Sequence, residues 1–158
     1  MTEDRAVSIT VTHVMTIGIT TILIAGLLLG AGNMLEDQRQ STGNRELQSI
    51  GDRHATEIVT ATTNGIESNA NVTIHSRQPG SSVGGSYQVQ LTNSSACFER
   101  SGYDGCLSLE AAGKDIGVEV PLDVPSGVTV ENGSAQGGRV VIQYWHANQS
   151  VSIRGGDR

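Results

Sequence analysis

AVSITVTHVMTIGITTILIAGLLLGAGNML, residues Ala6–Leu35, contains no Asp, Glu, Lys or Arg. About 20 consecutive apolar residues cross a bilayer core, and this stretch exceeds that even after its threonines are discounted. Lipid offers no partner to a backbone N–H or C=O, so the segment is expected to be a helix, which satisfies those groups internally. A helix buried on all sides in a soluble domain would need a shell of large apolar side chains. The remaining chain, with 3% aromatic residues overall, is too poor in them.

Before this stretch stands only MTEDR. A secretory signal has a basic start, an apolar run of about 7 to 15 residues and a small-residue cleavage site behind it. Here the start is acidic, the run is longer and no clear A-x-A site follows, so the segment is expected to stay in the mature protein.

Glu3, Asp4 and Arg5, then the small Ala6, then an apolar helix opening on Val7 and Ser8, together resemble the class III signal of archaeal type IV pilins and pilin-like proteins. The longer opening DRAVSITVTHVMTIGITTILIAGLLLGAGNMLEDQR is similar to a haloarchaeal pilin-like family that continues into a small β-rich domain. The resemblance covers the first third of the chain. It implies a prepilin peptidase cutting on the cytoplasmic side between Ala6 and Val7, with the helix kept to form a filament core. It also implies other pilin-like subunits as partners.

Within the apolar segment, Thr12, Thr16 and Thr20 follow Ser8 at spacing four. Each hydroxyl is expected to bond back to the carbonyl one turn earlier; the other reading is a helix-packing stripe. His13, beside them, is an ionisable residue in a membrane span and is expected to be bonded locally. Gly26 and Gly30 form GLLLG, a small-xxx-small pair that lets two helices approach closely in lipid.

From Glu36 the chain turns polar, yet Leu47, Ile50, His54, Ile58 and Ala61 or Thr62 recur at three and four. That stripe predicts an amphipathic stem helix over 36–63. Gly43 and Gly51 each weaken it by about 1 kcal/mol relative to Ala, which leaves two readings open, a break near Gly43 or one long helix unbroken from Val7 to about Thr63, and Asn64-Gly65 reads as the stop. Beyond it the period falls to two, in Val72 and Ile74; Tyr87, Val89 and Leu91; Leu107 and Leu109; Ile116, Val118 and Val120. Val128 and Val130, then Val140, Ile142 and Tyr144, then Val151 and Ile153, continue it. Alternation means one face buried and one wet, and PGSSVGG, AAGKD, VPSG, ENGSAQGG and HANQ read as the turns between strands. The expected fold is α+β: a leader over 1–6, a membrane helix over 7–35, the stem, and a β-rich domain over 64–158. About seven antiparallel strands would form either a small sandwich or one sheet wrapped on the stem.

Net charge is −6 and Lys114 is the only lysine, so phosphates are repelled and a nucleic-acid role is disfavoured. Cys97 and Cys106 enclose FERSGYDG and are expected to form a disulfide if the domain lies outside the cell. Two cysteines without clustered histidines fall short of a zinc site. Asn71, Asn93, Asn132 and Asn148 each begin an N-x-Ser/Thr sequon, as candidate glycosylation sites of an exported domain. The cysteines and sequons together place the C-terminal domain outside and the N-terminus in the cytoplasm.

Enzymatic chemistry finds little support. Gly80-Ser81-Ser82-Val83-Gly84 matches G-x-S-x-G, but between two strand candidates rather than at a strand-to-helix turn. His54, His75 and His146 have no ligand spacing or carboxylate partner in sequence. No cofactor or metal is expected. Phe98, Tyr103, Tyr144 and Trp145 are candidates for contact, though aromatics this scarce are more often spent on a core. Two readings stay open: a pilin-like structural subunit of a surface filament or secretion apparatus, and a single-pass, unprocessed membrane anchor carrying an external β domain that binds a ligand or partner.

Overall fold

The computed structural model describes residues 3–82, 85–93, 97, 102–113 and 116–156, with the backbone alone for residues 3–10 and Asn33. Among the described residues one helix, α1 (Glu3–Ser68), is followed by nine strands, an α+β fold. The chain divides into two compact units, one up to Gln38 and one from Arg39 onward. The stem portion of α1 therefore shares a unit with the strands.

Neither Gly43 nor Gly51 breaks α1. Both are sites of close approach to the sheet: a Cβ on Gly43 would lie 3.0 Å from Ile116 Cγ2, and one on Gly51 would lie 2.6 Å from Val120 Cγ2. Asn64-Gly65 does not end the helix either, because Gly65 seats the Tyr144 ring where any Cβ would overlap it. The helix ends at Ser68, followed by Asn69 with φ 51°. The Ala70 amide donates to the Gly65 carbonyl and the Asn69 amide to that of Ile66, the double bond of a left-handed helix cap with asparagine in place of the usual glycine.

The strands are β1 (Val72–Arg77), β2 (Ser81–Ser82), β3 (Gly85–Asn93), β4 (Gly105–Ala111) and β5 (Gly117–Leu122). They continue with β6 (Thr129–Val130), β7 (Gly133–Gln136), β8 (Arg139–Trp145) and β9 (Ser150–Gly155). All belong to one sheet of order β1-β8-β9-β7-β3-β4-β5, with β2 added to β3 and β6 to β9. The single sheet, not the sandwich, is therefore the architecture. Pairing is not wholly antiparallel, since β6 and β7 run parallel to β9.

Periodicity two gives this sheet one apolar face. Tyr87, Val89 and Leu91 of β3, Leu107 and Leu109 of β4, and Val140, Ile142 and Tyr144 of β8 are all buried. Facing them are Leu47, Ile50, Ile58 and Ala61 of α1, joined into the same core. The helix crosses obliquely: Gly43 and Gly51 meet Ile116 and Val120 at the β5 side, whereas Gly65 meets Tyr144 on β8.

Candidate functional site

Two surfaces of the molecule are built for something other than the core. The first is α1 from Val11 to Leu35, where every described side chain is exposed. Ile22, Leu27 and Leu29 each expose more than 70% of their area, the reverse of what water permits a large apolar group. This helix is long and apolar enough to cross a membrane. Three of its threonines bond back along the helix: Thr16 donates to the Thr12 carbonyl, Thr20 to that of Thr16, and Thr21 to that of Ile17, at 2.7–2.8 Å. His13 is exposed, and Gly26 and Gly30 have open space where a Cβ would stand. The Ala6–Val7 bond lies within the α1 backbone.

The second surface is the face of the sheet turned away from α1. Alternation with the buried set places Thr73, His75 and Arg77 of β1, Gln88 and Gln90 of β3, Ser134 and Gln136 of β7, and Arg154 of β9 on it. Arg154 Nε donates to Gln143 Oε1 at 3.0 Å. It is a wet, hydrogen-bonding face, and alternation along β8 puts Trp145, which is exposed, on it as well.

Cys97 and Cys106 form a disulfide with Cα atoms 5.9 Å apart, closing the β3–β4 connection. Among the described residues one close group of three potential metal ligands occurs, these two cysteines with Glu119, and its sulfurs are held in the disulfide rather than present as thiolates. Ser82 sits in the short strand β2 opposite Gly85, while Val83 and Gly84 of the G-x-S-x-G match lie outside the described residues. Of the histidines, His75 is exposed on β1 and His146 follows β8. His54 is 1% exposed in the core, with Nδ1 3.4 Å from Glu57 Oε2. Among the described residues its ring nitrogens have no hydrogen-bond partner, and burial holds its pKa below the ordinary value, Glu57 opposing that effect.

The sequons differ in setting. Asn71 Oδ1 accepts the His146 amide and Asn132 Oδ1 accepts the Asn93 amide, in each case through the oxygen rather than the nitrogen that a glycan takes. Thr73 and Ser134, their hydroxyl partners in the sequon, are exposed. Asn148 is exposed, but its partner Ser150 is 2% exposed; Ser94 and Ser95, which complete the Asn93 sequon, lie outside the described residues. Tyr144 is spent on the core at 1% exposure, whereas Trp145 and Tyr103 expose 42% and 38%. Phe98 lies outside the described residues.

The chain matches, over residues 2–154, a family described as a family of unknown function, DUF7266. The chain belongs to DUF7266. No curated protein and no solved structure matches it. The match takes in both the apolar helix and the sheet of this DUF7266 chain, so the two are one family architecture. What sequence reading missed is the grouping on the outer face, because Arg77, Arg139 and Arg154 come from three strands that only the β1-β8-β9 pairing brings side by side.

Proposed function

We infer that this DUF7266 chain is a pilin-like structural subunit, anchored by α1 in a membrane and packed through that helix against other subunits. The observation that carries the reading is the division within α1. Its stem half is covered by the sheet along Leu47, Ile50 and Ile58, whereas from Val11 to Leu35 the described side chains have no cover within the chain. An apolar surface of that extent needs lipid or neighbouring helices, and the opening Glu3–Ser8 resembles a prepilin signal. The chain acts in this reading as a building block rather than an enzyme, with the sheet outside the cell, where its disulfide is at home. Asn71 and Asn132 are then the accessible glycan acceptors.

A second reading, an unprocessed membrane-tethered module whose sheet binds a ligand, is favoured by the polar outer face. The N-terminal mass of the mature protein from native membranes separates the two. A start at Val7 that requires the host's prepilin peptidase is expected; a start at Met1 or Thr2 with or without the peptidase would sink the subunit reading. Gly26→Leu is expected to abolish lateral assembly while leaving membrane insertion intact.

A further inference from the structure

Positive charge on the outer face of the sheet is gathered at the β1-β8-β9 end, whereas register with Gln88 and Ser108 puts Glu110 of β4 and Glu119 of β5 on the same face at the other end. Register sets Arg77 of β1 against Arg139 of β8, His75 against Val141, and Val141 against Arg154 of β9. Opposed residues on neighbouring strands share a face, as do residues two apart along a strand. Three arginines and a histidine therefore converge on a groove of about 180 Å³ with no Asp or Glu among its described lining. This happens in a chain of net charge −6 with ten Lys and Arg in all. The groove is shaped by a missing side chain: a Cβ on Gly156 would stand 2.9 Å from the Arg139 Cβ and 3.5 Å from Val141 Cγ2.

Past Arg139 and Gly156 the groove opens into a broader depression of about 800 Å³, where Gln88, Ser134 and Gln136 replace the charges. The two parts ask for different chemistry in one ligand. A guanidinium presents paired N–H donors in a planar fork, which an oxyanion placed between Arg77 and Arg139 accepts. Amides and hydroxyls, each both donor and acceptor, suit a neutral polyhydroxylated neighbour. A nucleic acid would bring bases to a groove whose described lining has no Phe, Tyr or Trp ring for them to stack on.

We propose that this groove binds an acidic saccharide, Arg77 and Arg139 clamping its carboxylate or sulfate and Gln88, Ser134 and Gln136 meeting its ring hydroxyls. The site is independent of whether α1 assembles, and its test leaves the helix untouched. Full-length protein in lipid nanodiscs is titrated calorimetrically with a galacturonate trisaccharide, with maltotriose as the neutral control and with inorganic sulfate. Saturable binding of the galacturonate is expected, displaced by sulfate and absent for maltotriose. Arg77→Gln and Arg139→Gln should each weaken it about tenfold or more, as loss of a charge-assisted bond does, with the melting temperature within about two degrees of the parent's. Equal binding of maltotriose, or binding indifferent to both substitutions, would overturn the proposal. Sulfate binding without galacturonate binding would reduce the site to one for a free anion and overturn the saccharide assignment. Self-association lost in Arg77→Gln, with no saccharide bound, would assign the groove to the acidic Glu110 end of a second copy instead. A melting temperature lowered by several degrees in both variants would make the arginines structural and overturn the site.

Discussion

Up to Gly32, a Cβ added to any glycine of α1 meets nothing within 4 Å, whereas at Gly43, Gly51 and Gly65 it would press on the sheet. Each glycine costs a helix about 1 kcal/mol relative to alanine, and only in the stem is the compensation visible inside the chain. There the missing side chains let the helix axis settle close to Ile116, Val120 and Tyr144. Gly18, Gly26, Gly30 and Gly32 show no such return, which is why the subunit reading places theirs in contacts with other helices. The same residue type thus serves internal packing in one half of α1 and makes no internal contact in the other.

The sharpest way to break this contrast is Gly65→Ala. The added methyl overlaps a Tyr144 ring that is 1% exposed and has nowhere to move, so unfolding by denaturant should show a loss of about 3 kcal/mol. Replacing Cys97 and Cys106 by serine removes the one covalent tie of the sheet-bearing unit. Calorimetry should then find it weaker by about 2 to 3 kcal/mol, with the helix before Gln38 unaffected by circular dichroism.

Gly51→Ala should cost about 1 to 2 kcal/mol in the same denaturant assay, because Val120 lies on the edge strand β5 and can yield. A smaller effect is expected from pH. Burial keeps the folded-state pKa of His54 below its ordinary value of 6.5, so the unfolded chain takes up the proton first. Stability is then full above about 6.5 and falls as pH drops from there toward the folded-state pKa. His54→Leu should remove that slope from a series of melts; an unchanged slope would assign it to other groups. Smallest of all, Gly43→Ala should shift stability by less than about 1 kcal/mol, the gain in helix propensity offsetting a contact with the movable end of Ile116. Gly30→Ala should leave the unit from Arg39 onward unaltered, and a measurable loss there would refute the division of α1.

Much of this fold was legible because hydropathy period reports a two-sided environment directly. Leu47, Ile50, His54, Ile58, Ala61 and Thr62, chosen by spacing alone, are all buried. The strands built on Tyr87, Leu107, Val140 and Val151 lie where alternation puts them. What escaped has physical reasons. β7 is Gly133–Gln136, a Gly-Ser-Ala-Gln run whose one buried side chain is Ala135, too small to announce a strand within ENGSAQGG. Gly43 and Gly65 looked like breaks because a sequence states the local cost of a glycine and not the distant ring or methyl that occupies its space. Parallel pairing of β6 and β7 with β9 depends on chain path, which no local pattern records. The helix cap was missed because Asn69, not Gly65, adopts the positive φ. For the outer face, the individual arginines were readable and their convergence was not.

The strand β9 has a consequence for how the protein comes into being. Residues Ser150–Gly155 lie after every other strand in sequence, yet they sit inside the sheet, joining β1 and β8 to β7, β3, β4 and β5. A ribosome making the chain from its N-terminus delivers this keystone last, so the two flanks of the sheet wait unjoined throughout synthesis. Such a chain cannot close its sheet until β9 has emerged, so its flanks fold as separate parts before they are joined.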